Sequence, residues 1–288
     1  MSQKAIKLIE CPRDAMQGIH DFIPTDLKAA YINLLLQVGF DTIDFGSFVS
    51  PKAIPQLRDT KEVLAQLDLS NTRSKLLAIT ANLRGVQDAM LFPEIDYIGF
   101  PFSISETFQQ RNTNSSIKES LATVEQMLEL CDKHQKTAVI YLSMGFGNPY
   151  GDTYHTEIVE QWAAILVERG TKILSLSDTT GVSTPEKIRE LLPLLVNSFP
   201  QAEIGLHLHS TPDTRNEKIE AAYLSGCRRF DSALKGFGGC PMAADDLTGN
   251  LATEGLITYL EKQGEPLNLH MDKWQQAILL SSEVFQGM

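Results

Sequence analysis

Two histidines separated by one residue end a short apolar run in the segment His207-Leu208-His209. Alternate residues of a β-strand point to the same face, so a strand here would direct both imidazoles to one side. A pair of buried, hydrogen-bonded histidines would satisfy this pattern. A divalent cation is the alternative, and it requires further ligands from neighbouring elements.

Asp14 and Asn250 are the candidates for those further ligands, because each lies in a segment that follows a predicted strand. Two imidazoles, one carboxylate and one amide oxygen suit Mg²⁺ or Mn²⁺ better than a structural zinc, which prefers a closed thiolate site. A non-haem iron centre is the other metal site that these residues could form. We therefore predict a site for Mg²⁺ or Mn²⁺ at Asp14, His207, His209 and Asn250.

Other reactive side chains lie in the same kind of segment. Arg13 carries a permanently charged fork of donors that could stabilise an acyl carbonyl gaining negative charge, and a salt bridge is its alternative role. Cys240 lies in a glycine-rich run that could form a mobile lid, and its thiol could then act as an acid at the site. The alternative is an unreactive thiol in a tight turn. Asp44 and Asp178 could orient the metal ligands.

Eight short apolar runs must position these residues, and longer amphipathic stretches alternate with the runs. The predicted strands are 5–10, 42–45, 75–79, 97–100, 138–142, 172–176, 203–208 and 229–231. The predicted helices are 26–38, 60–67, 83–90, 117–133, 157–169, 185–197, 214–225 and 253–262. Eight strand-helix units with no linker between them predict one α/β domain over residues 1–288, a TIM (β/α)8 barrel with an additional C-terminal helix at 271–285. A doubly wound open sheet is the rival fold, but the GxGxxG fingerprint is missing.

Composition excludes several classes of protein. Of the 288 residues 43% are hydrophobic and 21% are charged, as in ordinary globular proteins. The net charge of -11 and the lack of a basic run argue against nucleic-acid or anionic-membrane partners. Four scattered cysteines, no signal-peptide stretch near the start and no long apolar span lead us to expect a cytoplasmic protein with free thiols.

The segments that carry these residues resemble the 3-hydroxy-3-methylglutaryl-CoA lyase family in order and spacing, from about residue 4 to residue 264. They are Pro12-Arg13-Asp14, 47–52, Asp178-Thr179, His207-Leu208-His209, Gly238-Gly239-Cys240-Pro241 and 249–254. The early Arg-Asp pair and the late His-x-His are shared with isopropylmalate and homocitrate synthases. The last two segments are narrower and indicate the lyase branch.

The resemblance implies a metal-dependent cleavage of 3-hydroxy-3-methylglutaryl-CoA to acetoacetate and acetyl-CoA, as in leucine degradation and ketone-body formation, by a homodimer that binds acyl-CoA. It places the metal at the four ligands above, the substrate carbonyl at Arg13 and the catalytic cysteine at Cys240. We add Asp44 to the catalytic group as an alternative to a ligand histidine for the base. We expect substrate contacts from Arg13, Gln17, Ser47 and Asp178.

The sequence departs from the family pattern at several positions near the site. Ala15-Met16 replaces the usual Gly-Leu, Asp44 replaces Glu, Asn148 replaces the Cys of a Cys-Pro-Tyr motif, and Ser210 replaces Asp. The ligands and Cys240 are unaffected, so these changes bear on the fit of the substrate. A Claisen-condensing acyltransferase and a non-catalytic metal-binding barrel are the alternative functions.

Overall fold

The eight predicted strands form a closed barrel in a computed structural model, which describes residues 5–239 and 248–286. All eight are parallel, and they pair in sequence order, with β8 returning to β1. Their bounds are β1 (Lys7–Glu10), β2 (Thr42–Ser47), β3 (Lys75–Ile79), β4 (Tyr97–Ser103), β5 (Thr137–Ser143), β6 (Ile173–Ser177), β7 (Glu203–His207) and β8 (Arg229–Ser232). The TIM barrel prediction is confirmed, and the open sheet is excluded.

Helices surround the barrel, as expected for strand-helix units. Within the described ranges they are α1 (Pro12–Gln17), α2 (Thr25–Val38), α3 (Thr60–Leu64), α4 (Leu83–Ala89), α5 (Glu106–Thr113), α6 (Ile117–Lys133), α7 (Thr156–Glu168), α8 (Pro185–Ser198), α9 (Arg215–Leu224), α10 (Thr253–Lys262) and α11 (Met271–Val284). The C-terminal α11 was predicted, and it packs against α2. The short helices α1 and α5 were not predicted.

The strands are short and apolar because both of their faces are covered. All five residues of β6 and all six of β2 are buried, as expected for parallel strands between a barrel interior and a helical layer. A small interior cluster, distinct from the core beneath the helices, is formed by Leu77, Ile79, Val139, Tyr141 and Ile173. This packing fills the middle of the barrel, so a ligand can enter only from its ends.

Two further observations concern the described residues as a whole. None of their helices is both long and apolar enough to cross a membrane. The three described cysteines, Cys11, Cys131 and Cys227, are buried and free, in agreement with the expectation of free thiols.

Candidate metal and substrate site

A cavity of about 140 Å³ opens at the end of the barrel where the strands terminate. Its polar lining comes from α1, from the ends of β5, β6 and β7 and from Asn112 of α5. Its apolar lining includes residues of β3, β4 and α5 and of the segment after β2. The polar residues include Arg13, Asp14, Gln17, Ser143, Ser177, Thr179, His207 and His209. This is the end at which TIM-barrel enzymes carry their active sites.

Helix α1 replaces the loop expected after β1 and brings three predicted residues together. Pro12 begins the helix, where a missing N–H has no cost. Arg13 Nη1 donates to Asp14 Oδ1 at 2.9 Å and to Gln17 Oε1 at 2.9 Å, and Gln17 Nε2 donates to Asp14 Oδ1 at 2.7 Å. One turn of helix thus fixes the cation, the carboxylate and the amide relative to one another.

Asp44 lies behind Arg13. Its carboxylate accepts from Arg13 Nε at 3.0 Å and from Nη2 at 2.6 Å, and it is fully buried. Burial raises the pKa of Asp44 to about 6 although Arg13 acts to lower it. Burial also acts to lower the pKa of Arg13, but Asp44 and Asp14 outweigh it and keep the guanidinium charged. Asp44 is not among the cavity-lining residues, so it holds Arg13 in orientation.

The two histidines come from the end of β7. The side-chain ligand atoms of Asp14, His207 and His209 lie within 4.8 Å of one another, and the two rings are 5.4 Å apart between centroids. Asn250 pairs with His209 in an antiparallel bridge, and its Nδ2 donates to Asp14 Oδ2 at 2.6 Å and to Phe237 O at 2.8 Å. Three of the predicted metal ligands therefore form one cluster, and the fourth, Asn250, contacts this cluster through its amide nitrogen.

The electrostatics of this group suit a cation. Burial acts to raise the pKa of Asp14, but Arg13 and the two histidines outweigh it, and the pKa lies below its usual value. Burial and the neighbouring His207 lower the pKa of His209 to about 4, so its imidazole is neutral at pH 7. A charged carboxylate beside a neutral imidazole is the protonation state that metal binding requires. Burial acts to lower the pKa of His207, but Asp231 and Asp14 outweigh it and raise the pKa above its usual value, so a metal ion competes with a proton at this ligand. The donor set thus fits a divalent metal ion.

Asp231 on β8 contacts the site, and the sequence interpretation missed it. Its Oδ2 lies 3.2 Å from His207 Nδ1, and it is paired with His207 in the barrel register. A carboxylate on one ring nitrogen leaves Nε2 for a metal and fixes the tautomer. Its position in the sequence could have indicated this contact, because Asp231 lies in the predicted strand that follows the strand with the two histidines.

The remaining predicted site residues differ in whether they line the cavity. Gln17 lines it, whereas Ser47 accepts a hydrogen bond from Val49 N at 3.1 Å and lines a neighbouring groove. The Asp178 carboxylate is bound by Ser183 Oγ at 2.5 Å and by the buried Lys218 Nζ at 3.0 Å. Cys240 lies outside the described residues.

The glycine-rich segment before Cys240 reaches the site. Gly236, Gly238 and Gly239 all have positive φ, and a Cβ on Gly238 would lie 2.6 Å from Asn250 Nδ2 and 2.8 Å from the Asp14 carbonyl. Glycine is therefore required where this segment passes the ligands. The Gly239 carbonyl lies 3.5 Å from Gln17 Nε2.

None of the departures from the family pattern is among the residues that line the cavity. Asn148 shapes its own turn, accepting from Tyr150 N and Asp152 N at 3.1 Å and donating to the Asp152 carbonyl at 3.0 Å. Ser210 lines a groove on the outer side of Asn250. Neither change removes a metal-binding atom from the group described above.

The family model described as HMGL-like matches residues 5–281, almost the whole chain. The chain belongs to the HMGL-like family. A hydroxymethylglutaryl-CoA lyase of Bacillus subtilis is 35% identical over 91% of this chain and 87% of its own length. A Pseudomonas aeruginosa lyase named for 3-hydroxy-3-isohexenylglutaryl-CoA and hydroxymethylglutaryl-CoA is 34% identical over 89% of this chain and 85% of its own.

A solved structure from the same family gives the same fold. The HMG-CoA lyase of Acinetobacter baumannii, in complex with coenzyme A and 3-methylmalate, superposes with a TM-score of 0.89 at 30% identity, covering 97% of this chain and 91% of that one. The family resemblance drawn from the sequence motifs is confirmed by these matches.

Proposed function

We propose that this chain is a metal-dependent carbon-carbon lyase that cleaves 3-hydroxy-3-methylglutaryl-CoA to acetoacetate and acetyl-CoA. The observation that supports it most is the convergence of Arg13, Asp14, His207, His209 and Asn250 on one cavity in an HMGL-like chain. Relatives that share about a third of its residues are named for this activity. A neighbouring structure with coenzyme A bound supports an acyl-CoA substrate.

Asp14, His207 Nε2, His209 and Asn250 Oδ1 would hold the metal, for which we propose Mg²⁺ or Mn²⁺ from the oxygen-containing donor set. A bound divalent ion lowers the pKa of a hydroxyl that it ligates and polarises carbonyl oxygens. Asp231 keeps His207 in the tautomer that presents Nε2 to the ion.

Arg13 has the donor geometry to stabilise the charge that develops on the substrate. A guanidinium carries five N–H bonds, and the contacts with Asp44, Asp14 and Gln17 use one on Nε, one on Nη2 and two on Nη1. Within these contacts one N–H of Nη2 is left for a ligand. We assign it to the thioester oxygen, which becomes an enolate oxygen as the carbon-carbon bond breaks.

Two proton transfers complete the reaction. His209 takes the proton of the tertiary hydroxyl on the ring nitrogen that the metal would not use, because Nε2 of His207 is assigned to the metal and its Nδ1 lies on Asp231. Asp44 is buried behind Arg13 and does not line the cavity. The bond between C2 and C3 then breaks, which makes C3 the ketone carbon of acetoacetate and leaves the electron pair on C2. The Cys240 thiol gives its proton to C2, and acetyl-CoA is formed.

The apolar side of the cavity favours a second substrate with a larger group at C3. Val49, Ala53, Ile54 and Ala81 line this side, and two of the four are alanines. We propose that 3-hydroxy-3-isohexenylglutaryl-CoA, for which the Pseudomonas aeruginosa relative is named, is also cleaved. A longer apolar group would cover wall area that a methyl group leaves in contact with water.

Assembly, location and pathway follow as finer proposals. We propose a cytoplasmic homodimer over residues 1–288 as one catalytic domain, in which the products acetoacetate and acetyl-CoA serve leucine degradation and ketone-body formation. Size measurement by light scattering checks the dimer, and growth of the source organism on leucine after gene deletion checks the pathway.

A product assay separates the proposed activity from its alternatives. The protein is incubated with Mg²⁺ or Mn²⁺ and 3-hydroxy-3-methylglutaryl-CoA, and acetoacetate and acetyl-CoA are measured. Equal amounts of both products, lost with a chelator, are expected. Release of free CoA from acetyl-CoA and a 2-oxo acid would instead identify a condensing enzyme. No turnover of any of these substrates would leave a non-catalytic metal-binding barrel.

A further inference from the structure

Lys218 is a buried lysine in the first half of α9, and its side chain is 2% exposed. Its Nζ donates to Asp178 Oδ2 at 3.0 Å, to the Gly181 carbonyl at 3.1 Å and to the His209 carbonyl at 2.8 Å. An ammonium has three N–H bonds, so every donor has an acceptor. One of these acceptors belongs to a metal ligand.

A cation at this position is costly to the fold. Burial removes its hydration, and the start of a helix carries a partial positive charge. Asp178 compensates for this cost, and its own carboxylate is also held by Ser183 N at 3.1 Å and Ser183 Oγ at 2.5 Å. An apolar side chain would fill this space without needing such partners. The contacts of the ammonium therefore indicate a function beyond the filling of space.

His209 needs support of this kind because it lies beyond the last residue of β7, which is His207. On the Asn250 side, the backbone around it is held by Leu251 N to Leu208 O at 3.0 Å and by Ser210 N to Gly249 O at 2.9 Å. On the other side, Lys218 binds the His209 carbonyl directly. The ligand segment is thus clamped from two directions, and one clamp is a side chain.

The same ammonium reaches the segment after β6. Asp178 and Gly181 belong to that segment, and Thr179 between them lines the cavity. Lys218 therefore joins the carbonyl of a metal ligand to the neighbouring wall of the substrate site through a single charged group.

We propose that Lys218 is a positioning residue of the metal site, which sets the place of His209 through its carbonyl, with Asp178 as the counter-charge. Asp178 then acts on the site through Lys218 and does not touch the substrate. The proposal rests on the proposed function to the extent that the site binds a divalent ion.

Replacing Lys218 removes both its charge and its contact with His209, and these two losses predict opposite changes in metal affinity. Removing a positive charge near a cation site tightens cation binding by Coulomb's law. Removing a support of a metal ligand weakens it, and loss of such outer contacts commonly costs about 10- to 100-fold in metal affinity. The sign of the change therefore separates the two effects.

The test is Mn²⁺ binding, measured by electron paramagnetic resonance on the full chain, for the parent and for Lys218→Met. Lys28→Met is the matched control. Lys28 is also a buried lysine of an outer helix, 2% exposed in its side chain and paired with Asp59 at 2.7 Å, but it contacts none of the metal ligands. Thermal unfolding of each variant is recorded alongside.

We expect both variants to unfold at lower temperature and only Lys218→Met to bind Mn²⁺ about 10- to 100-fold more weakly. The double variant Lys218→Met with Asp178→Asn removes the unpaired carboxylate, so it should regain stability but still bind weakly. An unchanged or tighter dissociation constant in the Lys218 variants would overturn the proposal. So would failure of both to fold while Lys28→Met folds. A parent that binds no Mn²⁺ would contradict the proposed function itself.

Discussion

Two buried arginines lie at opposite ends of the barrel, and their surroundings differ. At the cavity end Arg13 binds Asp14, Asp44 and Gln17, and it faces the substrate space. At the other end Arg229 is 1% exposed, donates through Nη1 to Glu203 at 3.2 Å, and has no hydrogen-bond partner for Nε or Nη2 among the described residues.

The strands explain this difference. The catalytic residues of a TIM barrel lie where the strands end, because the loops converge there. The opposite end of the barrel contributes to stability. Glu203 also binds Lys7 at 2.6 Å, so this end is closed by a small charged network. A Cβ on Gly205 would lie 2.9 Å from Arg229 Cδ. The absence of a side chain at residue 205 therefore leaves room for the arginine. The arginine at the cavity end thus has acceptors on all three of its nitrogens, whereas two nitrogens of the arginine at the opposite end have none among the described residues.

The largest effect should come from the loss of the Cys240 thiol. Cys240→Ala should lower turnover by about 10²- to 10⁴-fold, since it removes the proposed acid, and metal affinity should stay the same. Cys227→Ala, which removes a buried thiol just before β8, is the control and should keep full turnover. Steady-state kinetics measures both.

Alkylation of the thiols sharpens this prediction. Burial raises the pKa of Cys131 and of Cys227 to about 12 and raises the pKa of Cys11 well above its usual value. These three thiols should react slowly with iodoacetamide, because the thiolate is the nucleophile. Mass spectrometry should show Cys240 modified first. Slow labelling of Cys240 together with normal turnover of its alanine variant would rule out the thiol as the acid.

A smaller effect is expected for Arg13→Lys, which keeps the charge but loses the planar fork. Turnover should fall by about 10²- to 10³-fold, the usual loss for one donor to a developing oxyanion, while thermal unfolding changes little. Arg229→Lys, at the other end, should keep turnover within about twofold of the parent. Equal losses in both variants would mean that Arg13 acts only on the fold.

Glu10 gives a pH-dependent effect on stability. Burial raises its pKa to about 8, although hydrogen bonds with Thr253 and Leu234 N act against the rise. The Thr253 hydroxyl lies 2.6 Å from Glu10 Oε2 and 2.9 Å from Ser232 Oγ. The Ser232 hydroxyl can donate to Thr253 Oγ1, which leaves the Thr253 proton for Glu10 Oε2.

The sign of this effect follows from the raised pKa. Between about pH 4.5 and pH 8 the unfolded chain releases a proton that the folded chain keeps, so the free energy of unfolding falls as pH rises, by up to about 1.4 kcal/mol per unit. Glu10→Gln imitates the protonated side chain and should match the parent near pH 5 but exceed it near pH 8. Urea unfolding at both pH values measures this. Parallel stability curves for parent and variant would show that Glu10 is charged in the folded protein.

Arg229→Met should have the smallest effect. The variant removes two nitrogen atoms, Nε and Nη2, that have no hydrogen-bond partner among the described residues. Of the carboxylates that act on Arg229, Glu203 keeps Lys7 and the buried Asp231 keeps His207. We expect the free energy of unfolding to change by less than about 1 kcal/mol and turnover to stay the same. Calorimetry that shows a loss of several kcal/mol would mean that the closing network contributes strongly to stability.

The sequence predicted the strands and the ligand set because both have local signals. Buried parallel strands are continuous apolar runs, and the His-x-His spacing directs two imidazoles to one face. The six-residue α1 has no such signal, since five of its six residues are buried and it therefore shows no amphipathic pattern. Lys218 was missed for a similar reason. A lysine in an amphipathic helix predicts solvent contact, and only the approach of Asp178 and His209 in the fold reveals its burial.

The most direct measurement of the central claim is the position of Mn²⁺ in crystals of the protein, located by its anomalous scattering. Two groups of side chains compete for the ion, because His207 also lies with Cys11 and Asp231 in a second cluster on its Nδ1 side. We predict one peak at about 2.0–2.3 Å from His207 Nε2, His209, Asp14 and Asn250. A peak at Cys11 and Asp231, or no peak at the barrel end, would contradict the claim.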